Sequence, residues 1–308
     1  VKSCARFFFY SLLAGGMGAV LLIPEAIALG YSGSGGFHFP EDFSWYFSVF
    51  DELARHCMGV TVYTGSDHWP NLYCGVAVLL LLVLYLLNRE IPLKKKLIRM
   101  LALIFFLLAF ANNWLDFIWH GMHFPDSLPG RQSFLYMFVV LTMAFEELRR
   151  LKGNRIWHVV VAAVACGAFF VGCALFVDHE MVSMDAILMT AVFLLAYTLL
   201  LAIARMAEAY RKICFCMAFF LAVAETGVNM DLTGVVTTNR TQYTAHWEDY
   251  EALNAKAAEQ TDGFYRIEKW DRMTKNESSL TGYRSASLFS SLMNYSVGTF
   301  YRELGMEG

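Results

Sequence analysis

Residues 116–134, DFIWHGMHFPDSLPGRQSF, lie between two strongly apolar runs and contain carboxylate, imidazole and guanidinium groups. Asp116 and His120 are four residues apart, a spacing that places two side chains on one face of a helix. A carboxylate beside an imidazole can orient the ring or share a metal ion with it. His123 is near, but a glycine and a proline interrupt the stretch, and the clustered Cys and His residues of zinc sites are absent. The sequence therefore indicates no metal and no other cofactor, although a divalent metal is compatible with it.

The composition of the chain is that of a membrane protein. Its 308 residues are 57% hydrophobic and 17% charged, whereas soluble domains are nearer 45–50% apolar and about 25% charged. The net charge of −3 gives no indication of a nucleic-acid partner. The seven cysteines lie mostly in apolar runs and predict no disulfide framework, although Cys57 and Cys74 could meet near one membrane surface.

Apolar runs of spanning or near-spanning length predict a mainly α-helical transmembrane bundle of about seven spans. They are residues 7–29, 72–87, 97–111, 134–147, 156–177, 185–204 and 213–228. Residues 229–308 are polar and predict an incomplete region of mixed α/β structure. It would have helices at 246–260 and 285–304, a strand at 264–270 and a glycine stop at Gly305. The chain thus divides into a transmembrane domain, 1–228, and a C-terminal region, 229–308.

Lysine and arginine alternate between the loops, which predicts the orientation of the bundle. One set of loops is basic, and the opposite set carries only Arg55 and Arg131. The basic set would be cytoplasmic, and residues 229–308 would then be extracytoplasmic. The basic residues are Lys2, Arg6, Arg89, Lys94, Lys95, Lys96, Arg99, Arg149, Arg150, Lys152, Arg155, Arg205, Arg211 and Lys212.

Arg131 stands at the outer boundary of the fourth run, where a guanidinium needs a partner. Asp116 or Asp126 would give a structural ion pair. A phosphate of a lipid or a lipid-linked substrate would instead be gripped through two parallel hydrogen bonds. The sequence leaves both interpretations open.

Other polar residues stand at the outer ends of the predicted spans, and together they indicate an outward-facing polar cavity that binds a substrate. A plainer interpretation of the stretch 116–134 is an interfacial loop, with Trp119 in the aromatic belt and ordinary interface histidines. The polar residues are Glu25, Asn71, Tyr73, Asn112, Asn113 and Glu225.

Three blocks of the sequence resemble the bacterial YfhO family of multi-pass membrane proteins. Residues 117–138, FIWHGMHFPDSLPGRQSFLYMF, match the family's Trp-His-Gly, a proline a few residues on, and an arginine before Ser-Phe. The other blocks are PNLYCG at 70–75, and GFYRIE with SLTGYRSASLFSS within 263–291. The resemblance covers nearly the whole chain.

This resemblance implies a GT-C type glycosyltransferase in the bacterial cytoplasmic membrane. Such an enzyme moves a sugar from a polyprenyl-phosphate carrier to a cell-envelope polymer such as lipoteichoic acid. Its partners would be membrane lipid, the lipid-linked donor and the polymer acceptor. His120 and Arg131 would bind the donor phosphate, with Asp116 as a supporting carboxylate. Trp119, Asn71 and Tyr73 belong to the matching blocks and are also expected to bind substrate. Glu25 and Glu225 are expected to bind it as polar residues at the outer ends of the predicted spans.

GT-C enzymes carry their catalytic acid in the first outer loop. We therefore expect this chain to be a fragment without the N-terminal spans and most of the outer domain, inactive alone, with its primary base upstream of Val1. Two other classes fit the same residues. One is a transporter or flippase for a lipid-linked sugar, and the other is a non-catalytic scaffold for the outer domain.

Overall fold

A computed structural model of the chain describes residues 2–32, 38–62, 68–124, 130–177, 183–234, 239–270, 276–286, 289–290 and 293–306. Within these ranges the protein is mainly helical and forms no β-strand. The helices are α1 (Lys2–Leu29), α2 (Val49–Ala54), α3 (Val76–Leu87), α4 (Leu93–Ala111), α5 (Asn113–Trp119), α6 (Ser133–Arg149), α7 (Ile156–Phe176), α8 (Met184–Met206), α9 (Arg211–Thr233), α10 (Arg240–Thr244), α11 (Trp247–Glu259), α12 (Glu277–Thr281) and α13 (Tyr295–Glu303). The chain divides into two compact units, 1–37 with 237–308, and 38–236.

The centre of the second unit, 38–236, is the short helix α3. This helix is apolar on every side, and a helix of that kind belongs in the interior. Its residues Leu80, Leu84 and Tyr85 are fully buried. α3 packs against α6, α7 and α8, while α8 also packs against α7 and α9. The core of the unit is thus built around α3.

All seven predicted apolar runs coincide with helices, but four helices are long and apolar enough to cross a membrane in the part of the chain described. These are α1, α7, α8 and α9 with the short 3₁₀ turn before it. α3 has 12 residues, which gives about 18 Å, whereas a bilayer core is about 30 Å thick. The outward faces of α7 and α8 carry exposed Val164, Leu175, Leu188 and Leu195, as expected for surfaces in contact with lipid.

The first unit contains α1 and the helices α10–α13. The helix predicted at 246–260 is confirmed as α11. α13 ends at Glu303, and the predicted glycine stop follows it at Gly305, whose φ of 74° is accessible to glycine at little cost. The amide of Gly305 donates to Arg302 O and that of Met306 to Tyr301 O, each at 2.9 Å, which closes the last turn.

The predicted strand at 264–270 is not formed, so the expectation of a mixed α/β region is not met in the described residues. The segment shares a single backbone bond with its neighbour, from Ile267 N to Arg284 O at 2.8 Å. Its other contacts involve side chains, since Arg266 donates to Ser285 O and the Ser285 hydroxyl donates to Glu268. A strand needs a repeating ladder of backbone pairs, which alternation of side chains alone does not provide.

The helix predicted at 285–304 is shorter than expected and begins at Tyr295. The Asn276 side chain accepts a hydrogen bond from Phe289 N at 2.6 Å and donates to Phe289 O, which holds this backbone out of a helix. The side chain of Asn294 then caps α13 by accepting from Ser296 N.

Candidate functional site

The carboxylate of Asp116 lies where α4 gives way to α5. α4 ends because Asn112 has an extended backbone, and the Asn112 side chain caps α5 by accepting from Leu115 N at 3.0 Å. Asn113 accepts a hydrogen bond from Ser44 N at 3.0 Å and donates to Asp42 O at 2.7 Å. These bonds fasten the segment before α2 against α5, next to Asp116.

Three side chains hold the Asp116 carboxylate, which is buried. His120 Nδ1 lies 2.9 Å from Oδ1, the contact between neighbouring turns that the four-residue spacing suggested. His68 Nδ1 lies 3.2 Å from Oδ2, and the Tyr46 hydroxyl donates to the same oxygen at 3.1 Å. We call Asp116, His120, His68 and Tyr46 the Asp116 cluster.

His68 is held in a conformation that histidine rarely adopts. Its φ is 60°, in the left-handed region that favours glycine. Its ring stacks on Tyr46, with ring centroids 4.0 Å apart and planes 10° from parallel. A strained residue persists only where its surroundings fix it, and such residues concentrate at functional sites.

Charge and hydrogen bonding set the protonation of the cluster. Burial alone would raise the pKa of Asp116, but the hydrogen bonds from His120 and His68 outweigh burial and lower it. Burial alone would lower the pKa of His120, but its bonds to Asp116 outweigh burial and raise it. The contact between the two side chains therefore shifts Asp116 toward the carboxylate and His120 toward the imidazolium.

His120 and Gln132 each bring a buried donor without an acceptor. In the part of the chain that is described, His120 Nε2 has no hydrogen-bond partner, and neither does the amide nitrogen of Gln132. Arg131, which precedes Gln132, is exposed. Its charge acts on His120 and opposes the rise in the His120 pKa, so the two cationic groups share one electrostatic environment. Asp126, the other predicted partner of Arg131, and Pro125 lie outside the described residues.

Two other predicted binding residues, Tyr73 and Glu225, belong to a second network within the bundle. The Glu225 carboxylate accepts hydrogen bonds from the Tyr73 hydroxyl, from Val76 N at 2.6 Å and from the Tyr197 hydroxyl at 2.6 Å. Glu225 thus ties α9 to α8 and to the start of α3. Asn229, one turn further on, accepts from Gly59 N at 2.9 Å.

The remaining predicted residues lie outside the Asp116 cluster. Asn71 accepts a hydrogen bond from the buried Arg55 at 2.8 Å, and Arg55 also donates to Pro70 O at 2.9 Å. Trp119 packs on Phe106 of α4, with ring centroids 5.7 Å apart. Glu25 is exposed on α1 in the first unit.

Sequence reasoning missed His68 and Tyr46. His68 stands two residues before the PNLYCG block, and this position could have indicated that His68 belongs to the site. Tyr46 is 70 residues from Asp116 in sequence and had no local signal.

The Asp116 cluster is suited to holding an anion. An imidazolium fixed through Nδ1 presents Nε2–H to an incoming oxygen, and an arginine nearby adds a planar donor set. Among the described residues, no group of three His, Cys, Asp or Glu side chains is arranged to hold a metal ion.

Fold and site together define a helical membrane protein with a histidine–carboxylate site on the short helix α5 and the segments packed against it. The whole chain, residues 1–308, matches the family described as bacterial membrane protein YfhO. The chain therefore belongs to the YfhO family, and the resemblance seen in its sequence blocks is confirmed. No curated protein and no solved structure matches it.

Proposed function

We propose that this protein is part of a GT-C type glycosyltransferase that transfers a sugar from a polyprenyl-phosphate carrier to a cell-envelope polymer such as lipoteichoic acid. In this proposal the bundle crosses the cytoplasmic membrane about seven times, and α3, α4 and α6 complete their crossings with flanking residues. The Asp116 cluster and residues 229–308 face the outside.

The observation that carries the proposal is the pairing of Asp116 with His120. The pairing favours the charged form of the imidazole, and the buried Nε2 of His120 has no partner in the described part of the chain. A phosphate oxygen is the acceptor that this donor suits, because the imidazolium supplies charge as well as a hydrogen bond. Arg131 supplies the second cationic contact from the neighbouring loop.

In the reaction, the oxygen of an acceptor hydroxyl forms a bond to the anomeric carbon of the sugar while the bond to the carrier phosphate breaks, and the hydroxyl proton passes to a general base other than Asp116. Negative charge then builds on the departing phosphate, and fixed donors aimed at that charge lower the barrier. His120 and Arg131 serve as those donors. Asp116 positions His120 and is itself a poor base, because its hydrogen bonds favour the ionised form.

Asn71, Tyr73, Trp119 and Glu225 are proposed to act more indirectly, by shaping the walls around the donor. Asn71 and Tyr73 fit such a role through bonds that fix the backbone just after His68.

A transfer assay on the full-length protein tests this function, with a polyprenyl-phosphate sugar as donor and the envelope polymer as acceptor. Arg131→Lys keeps the charge but loses the planar fork. We expect transfer to be about ten- to 150-fold slower, which corresponds to the loss of a charged hydrogen bond of about 1.5–3 kcal/mol. Arg89→Lys, an exposed change on the basic side, is the matched control and should transfer normally.

Normal transfer by Arg131→Lys would remove its phosphate role and leave Arg131 as part of the loop architecture. If the full-length protein moves the intact donor between the leaflets of a vesicle and transfers no sugar, the flippase alternative replaces the enzyme. If it does neither, the scaffold alternative stands.

A further inference from the structure

A second charged site lies at the opposite, basic end of the bundle. A cavity of about 110 Å³ opens between the end of α6, the turn into α7 and the junction of α8 with α9. Cationic and apolar side chains line it together, and we call it the basic pocket. Its lining includes Arg149, Lys152, Arg205, Arg211, Leu151 and Phe215.

The basic pocket has more positive charge than its own residues neutralise. Lys152 and Arg211 share the exposed Glu208, at 2.7 Å and 2.9 Å. Arg149 lies 5.9 Å from the ring centre of Phe145 and has no carboxylate partner among the described residues. Four cations therefore face one acid, a surplus that favours an anionic ligand.

Arg205 is fixed in place, which makes the basic pocket a built site. Its Nε donates to Asn154 O at 2.5 Å and its Nη2 donates to Lys152 O at 3.2 Å. Both bonds go to backbone carbonyls, so the guanidinium keeps its orientation without using a carboxylate. Its Nη1 makes no hydrogen bond within the described ranges and is available to an acceptor.

The position of the basic pocket favours a lipid over a free anion. It lies where α8 ends and α9 begins, and both helices are long and apolar enough to cross a membrane. The pocket is therefore at the membrane surface. Met206 and Tyr210 at this junction are exposed, and Leu148, exposed on α6, lines the cavity. Acyl chains can lie along these apolar side chains while the charged group enters the cavity.

We propose that the basic pocket binds the phosphate of an anionic phospholipid headgroup on the cytoplasmic side of the membrane. Basic pockets between membrane helices suit such headgroups, because arginine binds phosphate through paired hydrogen bonds while apolar walls accept the lipid chains. The ligand chemistry, a phosphate with negative charge, is shared with free inorganic phosphate. The site is separate from the Asp116 cluster and does not depend on the proposed transfer reaction.

The test is lipid binding by the full-length protein in detergent, measured by native mass spectrometry with phosphatidylglycerol, phosphatidylcholine and inorganic phosphate. Arg149→Gln combined with Lys152→Gln removes two exposed charges from the pocket. Arg89→Gln combined with Lys94→Gln removes two exposed charges from the same basic face and is the matched control. Thermal unfolding of each variant verifies that it is folded.

We expect the protein to prefer phosphatidylglycerol over phosphatidylcholine. The pocket variant should lose roughly 30-fold in phosphatidylglycerol affinity, about fivefold for each of the two surface charges removed. The control variant should bind as the unaltered protein does. Equal loss in both variants would show general attraction to the basic face and overturn the proposal. Equal binding of the two lipids would overturn it, and so would inorganic phosphate binding without phosphatidylglycerol binding.

Discussion

Replacing Asp116 by asparagine tests the central pair, because the change keeps the shape of the side chain and removes its charge. The amide introduced by Asp116→Asn has one acceptor oxygen, which can still serve His68 and Tyr46 on the Oδ2 side. Its NH₂ group then faces His120 Nδ1, which keeps only the backbone carbonyl of Asp116 as an acceptor, so the charged imidazole loses its carboxylate partner. The expected result is a neutral His120 in an otherwise intact loop.

The magnitude follows from the one charged hydrogen bond that is lost. Such a bond contributes about 1.5–3 kcal/mol to the free energy of unfolding. Solvent screens it little, since the side chains of Asp116 and His120 are each only 3% exposed. If the charged imidazole also stabilises the departing phosphate, the same loss slows sugar transfer about ten- to 150-fold.

The dependence on pH identifies the pair. The raised pKa of His120 adds stability that is fully present below about pH 6.5, the ordinary histidine value, and is lost as pH rises through the folded value. The lowered pKa of Asp116 adds stability that is present above about pH 4 and is lost as pH falls through its folded value. The gap between the unaltered protein and Asp116→Asn should therefore be widest from about pH 4 to 6.5.

The measurement is thermal unfolding of the full-length protein in detergent across this pH range, with the transfer rate measured in parallel. Asp231→Asn, an exposed carboxylate on α9, is the control and should change the stability little at any pH. A loss below about 0.5 kcal/mol, the size of an ordinary surface change, with an unchanged pH profile would refute the reasoning about the pair.

Three further predictions concern the fold and its orientation. The thiols of Cys57 and Cys173 interact with each other within one core cluster, so oxidation with dipyridyl disulfide should link these two and yield one cross-linked peptide by mass spectrometry. In intact cells, Ser279→Cys on the exposed surface of α12 should react with an impermeant thiol reagent, because we place residues 229–308 outside. Gly130→Ala should lower the free energy of unfolding by about 1–3 kcal/mol, because Gly130 has a φ of 60° and an added Cβ would lie 3.1 Å from Pro70.

Each prediction has an outcome that would contradict it. A disulfide between Cys57 and Cys74, which the sequence alone allowed, would contradict the contact of Cys57 with Cys173 on α7. The labelling experiment uses a protein without native cysteines, in which Lys212→Cys should react only after the cells are permeabilised. If Lys212→Cys reacts in intact cells and Ser279→Cys does not, the proposed orientation in the membrane is inverted. Gly167→Ala on α7, where an added Cβ meets nothing within 4 Å, should be neutral or stabilising, so equal losses at both glycines would remove the steric argument.

Local patterns in the sequence predicted the parts of the fold that depend on local interactions. The apolar runs became helices, and the four-residue spacing placed His120 on Asp116 because one helical turn joins them. The end of α13 was predictable because it depends on one residue, Gly305, which can adopt a positive φ. The segment 264–270 shows the limit, since alternation describes one strand while a sheet needs a partner.

Contacts between residues far apart in the sequence could not be predicted from local patterns. Tyr73 and Glu225 were each recognised as polar residues at a span end, but their bond joins positions 152 residues apart. His68 reaches Asp116 across 48 residues, and only the packed chain puts it there. The sequence thus identified Asp116 and His120 but not the His68 and Tyr46 side chains that complete the cluster.

The contact between Gly130 and Pro70 has an evolutionary consequence. Pro70 follows His68 by two residues and Gly130 precedes Arg131, so this one contact joins the loops that carry His68 and Arg131. A side chain larger than hydrogen at 130 would push both loops apart. A substitution at one of these positions therefore requires a compensating substitution at the other. We expect the pair to covary among family members, while the neighbouring exposed positions change independently.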